Sequence, residues 1–335
     1  MFHRLAAAAA VLTVLGIDQI AATDTTTLPG ERPEPAVKSR EFFFMYRARV
    51  SGLEPGQFAR VWLPVPPTDQ DQVVTVVQWL LPGLARLGKE AKYGNKIFYV
   101  EAHADAWGTV PLALIYRVKR HAAQADVRRS GATEEAEDLQ LFLGPDANVP
   151  VGGPPLKLLA GRELPRDQLE LGRVLFDVVD DHLHYDKTGV GWGRGDALWA
   201  YGSGRGNCTD FHSLFIALAR SKGLPAKFEI GFRLPEARGQ GEIDGYCCWA
   251  KFKPNGRDWI PLSISEANKD PARRDHHFGA LSEDRVLFSV GRDLDLVPKQ
   301  QGAPLNFFVY PYAEVEGQPY PEDRVKTWFA YQDAR

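Results

Sequence analysis

The chain has 335 residues, of which 44% are apolar and 25% charged, a composition typical of a folded globular protein rather than a disordered one. The length predicts two domains with a processed end. A net charge of −3 without a basic block argues against nucleic-acid binding, so we expect no nucleic-acid partner.

The N-terminus has the layout of a secretory signal peptide. A basic residue, Arg4, precedes the apolar run Leu5–Ile17, and small residues follow around Ala21. The run is shorter than the ~20 residues that span a bilayer. We therefore predict a signal peptide at 1–22 and an exported protein, periplasmic or extracellular, without a stable membrane span. A short N-terminal helix of the mature fold is the alternative.

The next three segments differ in composition. Residues 23–40 are rich in Thr, Pro and charge, which predicts a flexible linker. Residues 41–125 contain short β-branched or aromatic runs that alternate with period two between Gly and Pro, which predicts an antiparallel β domain. Residues 126–155 are polar and then rich in Gly and Pro, and we interpret them as a connection between domains.

Two helices and a set of strands are predicted further along. The first helix begins at Asp167, where DQLE resembles a capping box before apolar residues at three- and four-residue spacing. The second follows GSGRGN with Asn207 as its N-cap, presents one apolar face and ends near Gly223. After the alternating stretch FEIGF, the segments CCWAKF and DWIPLS flank a PNG turn and predict a hairpin.

Cys208 is the first residue of the second predicted helix. Free backbone N–H groups and the macrodipole at a helix start favour the thiolate form of a cysteine. The preceding glycines allow close approach and leave the backbone N–H of Cys208 available to a developing oxyanion. This position favours a nucleophile over the alternative, a buried thiol that packs as a small apolar residue.

Several stretches together resemble a bacterial transglutaminase-like protein of the papain-like cysteine superfamily. They are GRGNCTDFHSLFIALARSKGLPAKFEIGF, the hairpin GYCCWAKF…WIPLSISEA, and the later FGALSEDRVLFSVGRDLDLVP and LNFFVYPY. The resemblance covers about 160–315 and implies an α+β fold in which the β domain precedes a transglutaminase-like core at 156–316, with a helix packed on an antiparallel sheet. Residues 317–335 would form a C-terminal tail. The resemblance also implies a cysteine acyl transferase or peptidase that acts on peptides or proteins.

The resemblance implies site residues as well. In that family the helix-start cysteine is the nucleophile, a His opens a strand reading H-x-W-A, and an Asp ends the next strand in W-x-P-x-D. These positions fall on Cys208, Cys247 and Ser263, so only the nucleophile is retained. The aromatic residue that assists the oxyanion corresponds most closely to Trp199. A thiol is a poor proton shuttle near neutral pH and a serine carries no charge, so the triad is degenerate.

Two functions remain open at this point. In the first, the protein is an exported binding or structural module, a pseudoenzyme that has lost efficient acyl transfer. In the second, it is an active thiol-dependent amidase, peptidase or acyl transferase on cell-envelope or extracellular peptides, with a non-standard base. His212, on the same helical face as Cys208, is the nearest candidate base, although a packing role is favoured. Metal-ligand spacings such as C-x-x-C are missing around Cys247 and Cys248, so we expect neither a metal nor a cofactor.

The hairpin predicts how the thiols are arranged. If the pair Asn255–Gly256 forms a two-residue turn, Cys248 lies opposite Ser263 and Cys247 lies one step away. Because a base must reach its nucleophile, we expect the sulfurs of Cys208 and Cys247 to face each other and to form a disulfide after export. Cys248 would then be a free thiol on the other face of the strand.

Overall fold

The computed structural model describes residues 37–125 and 136–334, so the predicted signal peptide lies outside the described residues. The first strands are β1 (Ser39–Ser51), β2 (Phe58–Val65), β3 (Gln72–Leu80), β4 (Leu84–Lys89), β5 (Lys96–His103), β6 (Thr109–His121) and β7 (Ala123–Gln124). The middle strands are β8 (His184–Tyr185), β9 (Arg205–Gly206), β10 (Ala226–Arg233), β11 (Gln240–Ile243), β12 (Tyr246–Phe252) and β13 (Ile260–Leu262). The last strands are β14 (Ala280–Leu281), β15 (Arg285–Val290), β16 (Tyr312–Val315), β17 (Gln318–Pro319) and β18 (Val325–Asp333).

The α-helices are α1 (Ala136–Leu141), α2 (Gln168–His182), α3 (Ala197–Ser203), α4 (Cys208–Ser221) and α5 (Ile264–Lys269). Short 3-10 helices lie at Pro154–Leu159, Pro271–His277 and Glu322–Arg324. In the described part of the chain, no helix combines the length and apolar character needed to cross a bilayer.

Two of the sheets in the described residues are five-stranded and antiparallel. One has the order β11-β18-β1-β6-β3 and the other the order β17-β16-β2-β5-β4. Strand β1 shows why these residues form a sheet, because every second side chain from Phe42 to Val50 is buried while its neighbours are less so. Both faces of β2 are buried, since Val61 packs in the main core and Trp62 in a second cluster.

The C-terminal residues differ from the predicted tail. Strand β18 pairs with β1 from Val325 to Asp333, which places it in the middle of a sheet. The Arg40 guanidinium, buried in β1, donates to Asp333 Oδ1 at 2.7 Å and to Asp284 Oδ1 at 2.7 Å. The prediction of a tail at 317–335 was therefore wrong, and Arg40 belongs to a strand rather than to the linker. A strand so distant in sequence from its partner leaves no local signal of that pairing.

A smaller antiparallel sheet, β13-β12-β10-β15, lies against the helices. Helix α4 contacts both β10 and β12 as well as α2. Its residues from Cys208 to Arg220 are all buried, so α4 is surrounded by protein instead of presenting one apolar face. The α+β fold class is confirmed, with a helix packed on an antiparallel sheet.

The predicted helix starts are also confirmed. The Asp167 carboxylate accepts hydrogen bonds from the backbone N–H groups of Leu169 and Glu170, which caps α2. Asn207 is the N-cap of α4, and the chain leaves that helix at Gly223, whose φ of 72° lies in the left-handed region. These caps are local features, which is why the sequence pattern predicts them well.

Candidate functional site

Cys208 occupies the first turn of α4, where the backbone is held by a capping box. The Asn207 side-chain oxygen accepts a hydrogen bond from Thr209 N at 2.9 Å, and the Asp210 carboxylate accepts one from Asn207 N at 2.9 Å. The Cys208 side chain is 9% exposed. The capping groups therefore set the direction in which this thiol leaves the helix.

Asp210 also fixes the glycine-rich loop that precedes α3. Its buried carboxylate accepts hydrogen bonds from Gly193 N at 2.7 Å and from Gly195 N at 2.9 Å, in addition to the one from Asn207. Burial raises the pKa of Asp210, although all three backbone donors act in the opposite direction. A Cβ atom at Gly206 would lie 2.5 Å from the Asp210 Cβ, so the approach of loop and helix requires glycine there.

The electrostatic surroundings of Cys208 favour its thiolate. A hydrogen bond from the Cys248 thiol is the largest cause that lowers the Cys208 pKa, and it acts against burial, which raises it. The backbone N–H of Cys248 and the charge of Lys269 lower it further, while Glu266 raises it. Lys269 is held beside the site because its ammonium bonds to Glu266 and lies 4.6 Å from the centre of the Tyr185 ring.

Cys248, and not Cys247, faces α4, where its Sγ lies 3.4 Å from His212 Nδ1. Cys248 belongs to the buried cluster that includes Cys208, whereas Cys247 packs against the separate cluster around Trp249 and Leu287. The two adjacent cysteines thus leave β12 on opposite faces, as the period of a strand requires. All three cysteines are free thiols, so the structure does not contain the predicted Cys208–Cys247 disulfide. The prediction that Cys248 points away from Cys208 was wrong.

The pairing of β12 with β13 explains part of this error. In the structure Ala250 lies opposite Leu262, whereas a two-residue turn would have set Ala250 opposite Pro261. The connecting loop runs from Lys253 to Trp259, longer than the turn inferred from PNG. Loop length sets the register of a hairpin, and a slip of one residue exchanges the faces of every side chain.

Arg285 joins the two positions where the resemblance would place a base and its orienting acid. Its guanidinium donates from Nη1 to Cys247 Sγ at 3.6 Å and from Nη2 to Ser263 Oγ at 3.5 Å. The group is buried, and it lies 5.4 Å from the centre of the Trp249 ring. Burial raises the pKa of Cys247 to about 11, even though Arg285 acts to lower it. Cys247 and Ser263 are thus neutral partners of a cation.

His212 is buried on α4 with both ring nitrogens engaged. Its Nε2 accepts a hydrogen bond from Ile264 N at 3.2 Å, so the proton of the neutral ring is on Nδ1. Nδ1 lies 3.4 Å from Cys248 Sγ and also faces the backbone carbonyl of Cys208. Burial lowers the pKa of His212 to about 3, and the charge of Arg285 lowers it further. The ring therefore has no free lone pair for the Cys208 proton, which matches a packing role.

Trp199 lies in the first turn of α3, partly buried against the main core. Its indole packs on Gly191, where a Cβ atom would come within 2.4 Å of the indole Nε1. This contact explains the glycine at 191. The assignment of Trp199 to oxyanion stabilisation stays a prediction.

An aromatic groove, which the sequence analysis missed, begins beside the thiol site. Tyr246 opens β12, accepts a hydrogen bond from Asn207 Nδ2 at 3.1 Å and lines a cavity of about 560 Å³. Burial is the largest cause that raises the pKa of the Tyr246 hydroxyl, and the charge of Cys208 raises it further. The other lining residues are Leu305, Phe307, Tyr310, Pro311, Tyr312, Ala313, Pro319, Tyr320, Glu322, Val325 and Thr327. The density of tyrosines in NFFVYPY and GQPYPE is the signal from which the groove could have been suspected.

Residues 37–125 and 136–334 contain no group of three or more His, Cys, Asp or Glu side chains placed to hold a metal ion. The site is instead built from thiols, one neutral imidazole, one guanidinium and aromatic rings. Such an arrangement can stabilise and use a thiolate, but it offers Cys208 no imidazole base.

Comparison with known sequences matches this region to one family. The profile of the transglutaminase-like superfamily matches residues 160–264, which contain Cys208, Cys247 and Ser263. An uncharacterized protein of Haemophilus influenzae is 26% identical over 322 residues, which cover 83% of this chain and 86% of the relative.

One solved structure shares the fold over most of the chain. A Cytophaga hutchinsonii protein, described as a candidate cysteine protease, has a TM-score of 0.53 at 12% identity, covering 89% of this chain and 100% of that one. The periplasmic domain of TgpA from Pseudomonas aeruginosa has a TM-score of 0.36 at 14% identity, covering 72% of this chain and 91% of that domain. With the profile match over 160–264 and the fold shared with the Cytophaga hutchinsonii protein, the chain carries a transglutaminase-like domain.

Proposed function

We propose that this protein is an exported, transglutaminase-like peptide-binding module that keeps a reactive thiolate at Cys208 but does not turn over amides efficiently. The observation that carries the proposal is the Arg285 guanidinium, which bonds to both Cys247 and Ser263. A buried cation at these positions opposes a protonated imidazole, which is the form a catalytic base must adopt during acyl transfer.

The acyl-transfer cycle needs a group that takes a proton from the thiol and later gives one to the leaving amine. His212 supports no such role, because Ile264 N already donates to its Nε2 and its pKa is lowered to about 3. Cys247, with a pKa of about 11, gives up its proton too reluctantly near neutral pH. Loss of a triad base typically costs about 10⁴-fold or more in turnover.

The groove beside Tyr246 supports the binding part of the proposal. Tyrosine side chains supply large, rigid contact surfaces with hydroxyl groups that can bond to a peptide backbone. The groove meets the thiol site through the Asn207–Tyr246 hydrogen bond, and Glu322 is the charged residue among those that line it. We expect an extended peptide with apolar or aromatic side chains to lie there, with its reactive end toward Cys208.

An active thiol enzyme is the alternative, and one observation favours it. Cys208 has a lowered pKa at a helix start, as an attacking nucleophile should. Acylation by an activated ester would then still occur, whereas release from an amide would be slow without an acid for the leaving amine.

Turnover on peptide amides separates the two functions. We expect ammonia release from glutamine-containing peptides, with and without an added amine, to be the same for the wild type and Cys208→Ala. An activated ester should acylate the wild type about once per chain and leave Cys208→Ala unmodified. Many turnovers by the wild type that Cys208→Ala abolishes would contradict the proposal, and loss of those turnovers in His212→Gln or His277→Gln would then identify the base.

Export is the second part of the proposal, and it rests on the run Leu5–Ile17 with the small residues near Ala21. Expression of the full chain in a secreting bacterium should give exported protein whose intact mass lacks Met1–Ala22. Exported protein that retains this segment would contradict the assignment of a signal peptide.

A further inference from the structure

One face of the sheet β11-β18-β1-β6-β3 is turned toward solvent. In β1, Arg47 and Arg49 are exposed and alternate with buried side chains. Residues paired across a sheet point to the same face, so the partners of Arg47 share its outward direction. These partners are Trp328 in β18 and Ala113 in β6, and Ala113 pairs in turn with Leu80 in β3. Four strands therefore contribute to one row of outward side chains, with a tryptophan at one end and a leucine at the other.

Cations are in excess at the outward positions of this sheet. These cations are Arg47, Arg49, Arg117, Lys119 and Lys326. Arg117 is held in an ion pair with Glu41 at 2.6 Å, and Glu242 in β11 is the other acid at an outward position of these five strands. The face is thus positively charged, although the whole chain has a net charge of −3.

Large apolar side chains are exposed beside these cations. Leu80 is 64% exposed and Trp328 is 50% exposed, and three strand spacings of ~4.8 Å separate their strands. Trp79 and Leu84, near the turn that joins β3 to β4, are exposed as well. The Arg49 guanidinium lies 5.6 Å from the centre of the Trp328 ring, so a cation and an aromatic ring are presented together. Grouped apolar side chains of this kind mark an interaction surface.

We propose that this sheet face docks the protein on the surface of an anionic phospholipid bilayer. Charge complementarity carries the proposal, because Arg47, Arg49 and Lys326 occupy neighbouring outward positions of β1 and β18 and would all meet the lipid phosphates. Tryptophan prefers the headgroup level of a bilayer, which suits Trp328, and Leu80 would reach the boundary of the acyl chains. A sheet face suits a lipid surface, since the outward side chains of one row reach it together.

An acidic peptide or polysaccharide is the other kind of partner that these cations would attract. Such a polymer is hydrated and offers no apolar phase, so it would leave Leu80 and Trp79 in water. A bilayer interface satisfies the cations and the apolar side chains at once. The combination on one face therefore favours the lipid surface.

Docking in this way goes beyond the proposed peptide binding and does not rest on it. Strand β18 separates the two surfaces, because successive side chains of a strand point to opposite faces. Thr327 lines the aromatic groove, whereas its neighbours Lys326 and Trp328 are exposed on the outward face. A protein docked through the outward face would keep the groove open to peptides.

Cosedimentation with vesicles tests the proposal, with the protein recovered from a secreting bacterium. We expect the wild type to bind vesicles of phosphatidylcholine and phosphatidylglycerol about 10-fold or more tightly than vesicles of phosphatidylcholine alone, and to be released by salt. Arg47→Gln combined with Arg49→Gln should weaken binding to the anionic vesicles about 30-fold. Leu80→Ser, which leaves the charge unchanged, should weaken it about 10-fold.

Lys157→Gln combined with Arg166→Gln is the matched control, since both residues are exposed outside this sheet and the net charge changes equally. This control should bind as the wild type does. An equal rate of Cys208 alkylation in all variants would show that each is folded. The run Leu5–Ile17 is treated identically in every variant, so differences between variants report the sheet face.

Three results would overturn membrane docking. The first is equal binding to vesicles with and without phosphatidylglycerol, and the second is unchanged binding when Arg47 and Arg49 are both replaced. The third is binding of poly-glutamate that is as tight as vesicle binding and is unaffected by Leu80→Ser, which would assign the face to an acidic polymer. None of these results depends on whether a peptide binds in the aromatic groove.

Discussion

Iodoacetamide should alkylate Cys208 about 10²-fold or more faster than either other cysteine of the folded protein near neutral pH. The thiolate is the reactive form, and Cys247, with a pKa of about 11, is ionised to only about 10⁻⁴ at pH 7. The Cys208 pKa is lowered from its ordinary value of 9.0, so its thiolate fraction is larger than about 10⁻² at that pH. The selectivity should be read by alkylation and peptide mass spectrometry of folded protein over a pH series.

Exposure alone predicts the opposite order, which makes the experiment decisive. Cys247 is partly exposed and Cys208 is buried, so a reaction controlled by access would modify Cys247 first. Cys208→Ala should remove the fast phase, and Cys247→Ser should leave it unchanged. A fast phase that survives in Cys208→Ala would show that the Cys208 thiolate is not the reactive group.

Acid should destabilise the protein through His212 by about 3 kcal/mol between pH 7 and pH 4. The pKa of His212 is lowered from its ordinary value of 6.5 to about 3. Burial is the largest cause, and the charge of Arg285 is the second. Between these two values the unfolded chain binds a proton that the folded protein does not bind. The stabilising contribution is therefore complete above pH 6.5 and is lost as the pH falls, at about 1.4 kcal/mol per pH unit.

Urea unfolding at a series of pH values measures this loss. In His212→Gln, a neutral residue that can still accept from Ile264 N, the free energy of unfolding should fall by about 3 kcal/mol less over the same range. His184→Gln is the matched control, since His184 is exposed in β8, two residues beyond the end of α2. Parallel pH profiles for the wild type and His212→Gln would contradict a buried, neutral His212. Burial lowers the pKa of His277 to about 4. His277 therefore adds its own loss of stability in acid, both in the wild type and in His212→Gln.

The cation that contacts Cys247 and Ser263 comes from a residue distant from their motifs. Arg285 opens β15, whereas Cys247 lies in β12 and Ser263 is the residue before α5. The resemblance aligned Cys247 and Ser263 with lost catalytic positions, but it carried no information about the cation that bonds to both. Each terminal nitrogen of this buried guanidinium has a polar partner and the group lies over the Trp249 ring, whereas its Nε has no hydrogen-bond partner.

Local features of this protein can be deduced from its sequence. The cap residues Asp167 and Asn207 lie within a few positions of the N–H groups that they satisfy, so a short motif contains the whole interaction. The same holds for the placement of Cys208 in a first helical turn and for the alternation that buries one side of β1. Each of these interactions closes within one turn or one strand.

Long-range pairings could not be deduced in the same way. Three contacts each join elements far apart along the chain: strand β18 with β1, the Cys248 sulfur with His212, and Arg285 with both Cys247 and Ser263. Their geometry depends on loop lengths and sheet register, where a slip of one residue turns every side chain to the opposite face. The helix start thus fixes the position of Cys208, and packing of the sheet against α4 turns the Cys248 side chain toward that helix.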